Sequence, residues 1–411
     1  MASTTISNVR VFDGERTHLD QTVRIEGTDI VSVRPTASDD ASRHPSDEVI
    51  DGTGKTLLPG LIDAHTHSSP EALRLALRFG VTTELEMGGI LTAPNRADIE
   101  SDDDLADVRS SGFGLTPPGG HPFEIIPEGA FPGEGEPGFG EIVMPLSTTP
   151  EQAVAFIPEL IASGSDYIKF LIEDGTAANA PGLPMLDQAT LDAGVAEAQR
   201  LGMLTLAHTL TVGATRMALE AGIDGLAHLF VDEAPTPEII DLIASAGVFV
   251  VPCVVLNSSI IGITGAEFAI DPRVSSRLDP QWLLTLRSSI DHYPAGSVDD
   301  VLATVRALHD AGVPILVGTD ASAPDPSLGG LAHGASVHHE LQMLVRAGLS
   351  PAEALAAATS VPARHFALTD RGRIAEGLRA DLLLVDGDPT STISDTLNIA
   401  AIWRRGSRVG V

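Results

Sequence analysis

Gly60-Leu61-Ile62-Asp63-Ala64-His65-Thr66-His67 decides how this chain is read. An apolar run passes through Asp63 into two histidines two positions apart. Alternate side chains of an extended strand face the same way. His65 and His67 therefore converge from the end of one strand, a spacing that suits one divalent cation. The pair alone is common by chance, and its weight comes from its place in a series. Seven further candidate strands follow, at 81–87, 112–116, 167–172, 204–208, 225–230, 248–255 and 314–319. Amphipathic helical patterns lie between most of them, for example at 191–201, 212–221 and 301–311. Eight such units are what a closed (β/α)8 barrel needs, and barrel chemistry sits at the C-terminal strand ends.

The two ends of the chain have a different texture. Alternating runs at 5–12, 22–26 and 30–33, with Asp13-Gly14 as a turn, read as short strands. Val49-Ile50-Asp51 begins another, after a polar stretch at 35–48 that reads as a loop. Short strands recur at 372–374, 380–385 and 399–403. The fold class expected is α/β: a TIM barrel domain over 59–366, with a small β-sandwich domain formed by 1–58 and 367–411. The Gly/Pro-rich stretch 121–146 is expected over the strand ends, where substrate loops sit.

The 411 residues carry 56 Asp and Glu against 25 Lys and Arg, a formal net charge of −31. Such a surface repels nucleic acid and anionic membranes, and both are discounted as partners. Cys253 is the single cysteine, so an intrachain disulfide and a thiolate cluster are both excluded; it reads as a small buried side chain. The N-terminal residues lack an apolar signal core, and no stretch is long enough to span a bilayer. A cytoplasmic location is the expectation.

Polar residues interrupt the other strands at telling places. Lys169 stands inside the apolar run Tyr167-Ile168-Lys169-Phe170-Leu171-Ile172. A buried ammonium is costly, and burial favours the neutral amine. Such an amine can take up CO2 as a carbamate, an anion able to bridge two metals. His208 ends Leu204-Thr205-Leu206-Ala207, and His228 ends Gly225-Leu226-Ala227. Asp320 ends Ile315-Leu316-Val317-Gly318-Thr319, where it could bind metal and take a proton from water. Each alone has a bland reading as a core or edge residue. Four histidines, one lysine and one aspartate at predicted strand ends are far more specific together. His333, His338, His339, Glu84 and Glu86 are expected in surface, packing or supporting roles.

At this point the chain resembles the amidohydrolase superfamily. Leu58-Pro59-Gly60-Leu61-Ile62-Asp63-Ala64-His65-Thr66-His67 is similar to its first-strand signature, and Val317-Gly318-Thr319-Asp320 to its eighth. Gly348-Leu349-Ser350-Pro351-Ala352-Glu353-Ala354-Leu355 and Gly377-Leu378-Arg379-Ala380-Asp381 match its tail, so the likeness runs over nearly the whole chain. The nearest group is prolidase-like and imidazolonepropionase-related, including ochratoxin-type amidases. The resemblance implies two divalent metals, with zinc usual: one on His65, His67 and Asp320, the other on His208 and His228. Carboxylated Lys169 and a hydroxide would bridge them. The resemblance also suggests a homo-oligomer.

The implied reaction is hydrolysis of a small-molecule amide bond, with Asp320 as general base and then acid. Gly119-Gly120-His121 matches a turn of the group, which makes His121 a candidate catalytic residue that orients or polarises substrate. Thr209-Leu210-Thr211 departs from the prolidases, which place a tyrosine there, and from the deaminases, which place a glutamate. A one-metal cyclic-amide hydrolase is the main rival reading, with a deaminase or a catalytically dead binding barrel behind it.

Overall fold

The structure, a computed structural model, describes residues 3–38, 48–125 and 144–410. The N-terminal part forms β1 (Ser3–Phe12), β2 (Thr17–Glu26), β3 (Asp29–Pro35), β4 (Glu48–Asp51) and β5 (Lys55–Pro59). Asp13 builds the turn after β1: its carboxylate accepts from the backbone N–H of Glu15 and Arg16 at 2.9 and 2.8 Å. The barrel contributes β6 (Leu61–Thr66), β7 (Val81–Glu86), β8 (Asp107–Ser110), β9 (Ile168–Ile172), β10 (Thr205–Thr209), β11 (Gly225–Ala227) and β12 (Phe249–Val251). The chain ends in β13 (Leu382–Asp386), β14 (Ile399–Arg404) and β15 (Ser407–Arg408).

Strands from both termini share one eight-stranded sheet, in the order β15-β14-β13-β5-β1-β2-β3 with β4 beside β1. Ile6, Val9, Val11, Val23, Ile25, Leu57, Leu382, Leu384 and Trp403 form its own core. The sheet curls until its ends meet: a methyl added at Gly406 would lie 1.9 Å from the Gly27 carbonyl. The two-terminus β domain read from the sequence is therefore present. Residues 372–374, read as a strand, pair in none, although Ile374 N–H still donates to the Asp13 carbonyl at 3.1 Å.

The barrel strands lie parallel in two runs, β6-β7-β8 and β9-β10-β11-β12. Single bridges close the ring. Leu115 pairs with Phe170 on one side; Val250 pairs with Ile315, and Thr66 with Ala321, on the other. Helices follow the strands where amphipathic patterns were read, such as Gln188–Arg200, capped by the Asp187 side chain, and Val298–Asp310.

Four expected strands depart: the eighth, 314–319, forms no regular strand and takes its place in the ring through the Ile315–Val250 bridge and the bond from Ala64 N–H to the Val317 carbonyl. The third strand begins at Asp107, ahead of the expected 112–116, which supplies only the later bridge at Leu115. Gly112, at φ +65°, breaks the strand between the two parts. The expected strands at 225–230 and 248–255 stop early, because His228 and Cys253 adopt left-handed conformations, φ +73° and +48°. After Cys253 the chain turns at once into the helix Val254–Ile260.

Buried charges fasten the start of β8 to the terminal sheet. Asp107 meets Arg371, Arg379 at 3.2 Å and Arg404 at 3.9 Å, and Arg404 reaches Asp381 at 3.4 Å. Burial opposes the Asp107 charge, but the surrounding guanidinium groups hold its carboxyl well below the usual range. Of the two stretches expected as loops, 39–47 and 126–143 lie outside the described residues. Among the described residues no helix is long and apolar enough to cross a membrane.

Candidate metal centre

His65, His67 and Asp320 meet where the first and eighth strands end, with one ligand atom of each within 4.8 Å of the others. Asp63 sets this junction. Its Oδ1 accepts from His65 N–H at 3.2 Å and Thr319 N–H at 3.1 Å, and its Oδ2 from the Thr319 hydroxyl at 2.7 Å. Asp320 N–H then donates to the His65 carbonyl at 2.8 Å. Asp320 itself turns left-handed, at φ +61°. His67 Nδ1 donates to the Gly88 carbonyl at 2.8 Å, which fixes the ring with Nε2 facing Asp320.

Asp320 Oδ1 stands 3.2 Å from His65 Nε2 and 3.0 Å from His67 Nε2. No aligned hydrogen bond reaches that oxygen. Close approach without alignment is how ligands of one cation are arranged. Burial raises the Asp320 carboxyl, but the two imidazoles outweigh it and hold it well below the carboxylate range.

The expected second group lies alongside. The His228 ring is 4.4 Å from His65 and 4.8 Å from His208, centroid to centroid. Lys169 points inward from β9 with its side chain buried. His65 Nδ1, His228 Nδ1 and Lys169 Nζ are all buried and make no hydrogen bond. Such atoms are rare, because each costs about 1–3 kcal/mol when left unpaired. Burial, and then the Lys169 charge, push His65 down to about 3. Burial also takes His208 and His228 well below the ordinary histidine range, and Lys169 down to about 8. Neutral imidazoles, an ionised carboxylate and an amine that sheds its proton readily form a donor set made for cations. Cys253 joins them from the end of β12: His65, His228 and Cys253 also bring one ligand atom each within 4.8 Å of the others, all buried.

Around this centre stand residues of two kinds. His121, expected at the site, stacks on the His208 ring at 4.5 Å and is held by Glu124 at 2.5 Å. Glu173, immediately after β9, was not foreseen. Its side chain is fully buried, and Oε2 lies 3.4 Å from His208 Nε2. An acidic residue directly behind an apolar strand is the signal that revealed Asp320, and it also marks Glu173.

His333 proves to be wholly buried, unlike a surface histidine. Its Nδ1 meets Glu84 at 2.8 Å and its Nε2 the Ser322 carbonyl at 2.9 Å. Glu84 also accepts from Ser68 at 2.6 Å, tying β7 to the loops after β6 and after the eighth strand position. Glu86 accepts from Leu91 N–H at 3.0 Å and from Ser110, and burial pushes it up to about 7. His338 packs against Phe79 and Thr396, away from the centre, as a structural residue.

Comparison with known proteins agrees with this architecture. The chain is 28% identical over 377 residues to imidazolonepropionase of Anaeromyxobacter sp. (strain K), covering 82% of this chain and 77% of that one. A Xaa-Pro dipeptidase crystallised with methionine in its active site superposes at TM-score 0.73 with 22% identity, both chains covered completely. Ochratoxinase of A. niger superposes at TM-score 0.73 with 20% identity, over 99% of this chain and 95% of the other. The model of the amidohydrolase family matches residues 56–409. With a (β/α)8 barrel, a two-terminus β sheet and histidines at the strand ends, the chain belongs to the amidohydrolase family, hydrolases acting on carbon–nitrogen bonds.

Proposed function

We propose that residues 59–366 carry a two-metal amidohydrolase site that cleaves an amide bond of a small molecule. The observation that supports it most is the unpaired set: His65 Nδ1, His228 Nδ1, Lys169 Nζ and Asp320 Oδ1, all buried at one barrel mouth. His65, His67 and Asp320 would hold one cation, and His208 and His228 the other. Lys169 would bridge them once its neutral amine has added CO2 and lost a proton. Bound there, divalent cations, zinc by the donor chemistry, would acidify a shared water and polarise the substrate carbonyl.

The chain's own residues supply the rest. Asp320 is the base. It takes the proton of the attacking water as the carbon–oxygen bond forms, and returns it to the nitrogen as the carbon–nitrogen bond breaks. His121, held by Glu124 and stacked on His208, would donate toward the carbonyl oxygen. Asp63 and Thr319 keep the carboxylate of Asp320 aimed at the His65–His67 pair. A mononuclear cyclic-amide hydrolase is the second reading, favoured by the likeness to imidazolonepropionase over 82% of the chain.

The test is turnover of the purified chain on N-acyl amino acids, dipeptides, aryl amides and an imidazolone, each with Asp320→Asn as control. Asp320-dependent cleavage of a linear amide supports the proposal. Cleavage of the imidazolone alone would transfer support to the second reading.

A further inference from the structure

We propose that Cys253 is a thiolate ligand of the metal centre, which makes the centre selective for thiophilic divalent cations. The inference rests on the metal-dependent reading above and adds a ligand which that reading does not contain.

Backbone conformation is the first support. Non-glycine residues avoid the left-handed region, at a cost of roughly 1–2 kcal/mol per residue. Barrel strand ends nevertheless place His228, Cys253 and Asp320 there, at φ +73°, +48° and +61°. Two of these three are groups already assigned to the cations. Asparagine and aspartate tolerate this region through local hydrogen bonds, but a thiol gains little from them. The Cys253 side chain also does no capping work for the helix it precedes. That helix's first free N–H groups, on Val254 and Val255, are both taken by the buried Glu340 carboxylate at 2.9 Å. Local structure therefore gives no reason for the strain, whereas a sulfur directed at His65 and His228 does.

Unpaired nitrogens are the second support. His65 Nδ1 and His228 Nδ1 are buried without partners, and each of these residues is 1% exposed. Both imidazoles offer a nitrogen within 4.8 Å of the Cys253 sulfur, and all three groups are buried. His65 belongs to one proposed cation and His228 to the other, so a thiolate beside both adds a sulfur to imidazole ligands, a combination suited to zinc. With the soft sulfur included, zinc or cadmium gains over manganese or magnesium, which prefer oxygen.

The test uses the whole chain loaded with zinc and freed of excess metal. X-ray absorption at the zinc edge should contain a sulfur shell at about 2.3 Å beside the lighter ligands, and Cys253→Ser should lose it. Cys253→Ser should also weaken cadmium binding at least tenfold while manganese binding changes little. A zinc-loaded chain with only nitrogen and oxygen neighbours overturns the inference and leaves the metal-dependent hydrolase standing. A chain that binds no zinc overturns both. If Cys253→Ser fails to fold, the wild-type spectrum and the ultraviolet thiolate band of the cadmium-loaded chain still decide.

Discussion

At the start of β8, buried Asp107 is ringed by buried Arg371 and Arg404 and by half-buried Arg379, and every charge is answered. At the strand ends on the other side of the barrel, Lys169, His65 and His228 are buried, and they and the half-buried Asp320 each leave a buried polar atom unanswered. The same barrel thus holds one finished polar cluster and one open one. Burial drives both, but with different results. In the first, opposite charges keep Asp107 ionised and couple the barrel to the terminal sheet. In the second, burial strips charge from the imidazoles and weakens the lysine's hold on its proton. A closed cluster stabilises the fold; an open one is tolerated where a ligand is to complete it.

The largest expected effect that would sharpen this contrast is Asp320→Asn. Turnover should fall by about 10³-fold or more, while the thermal midpoint stays within a few degrees of wild type. Unchanged kcat would remove Asp320 from the chemistry. Arg371→Met strikes the closed cluster instead. It leaves Asp107 short of a partner and should cost about 3–5 kcal/mol in denaturant unfolding, with metal content unaltered. If the loss appears in metal content and not in stability, the two clusters are not separable as described.

Glu173→Gln is expected to act more gently. A carboxylate behind a ligating histidine orients it, so metal affinity should drop roughly 10–100-fold with little change in melting. Competition with a chromogenic chelator measures it, and unchanged affinity would reduce Glu173 to packing. Acid stability gives the smallest effect. Asp107 holds its proton more weakly in the folded chain than in the unfolded one. Its contribution is therefore complete above about pH 4, the unfolded aspartate range, and is lost as pH falls below that. Arg371→Met should flatten the stability profile in that window; an unchanged profile would discount the ion network as its source.

The sequence disclosed the open cluster better than the closed one, for a physical reason. A histidine, lysine or aspartate inside an apolar strand run contradicts its surroundings, and His65, Lys169, His208, His228 and Asp320 all stand out that way. Asp107 and Arg109 hid their strand, since two charges alternating at 107–110 look like solvated loop until Asp107 is known to be neutralised by Arg109 and by distant Arg371 and Arg379. His333 likewise gave no hint of its pairing with Glu84, 249 positions away. Cys253 could not be distinguished from a core residue, because what sets it apart is a backbone angle rather than a side-chain pattern. The alternating strands and helical faces were readable because they depend on local periodicity, whereas tertiary neutralisation does not.

Metal content per chain, measured after purification with zinc and bicarbonate and again without bicarbonate, tests the central claim most directly. The account predicts close to two equivalents, fewer without bicarbonate, and a collapse in Lys169→Ala that leaves the fold intact. One equivalent or none, indifferent to bicarbonate and to Lys169, would contradict it.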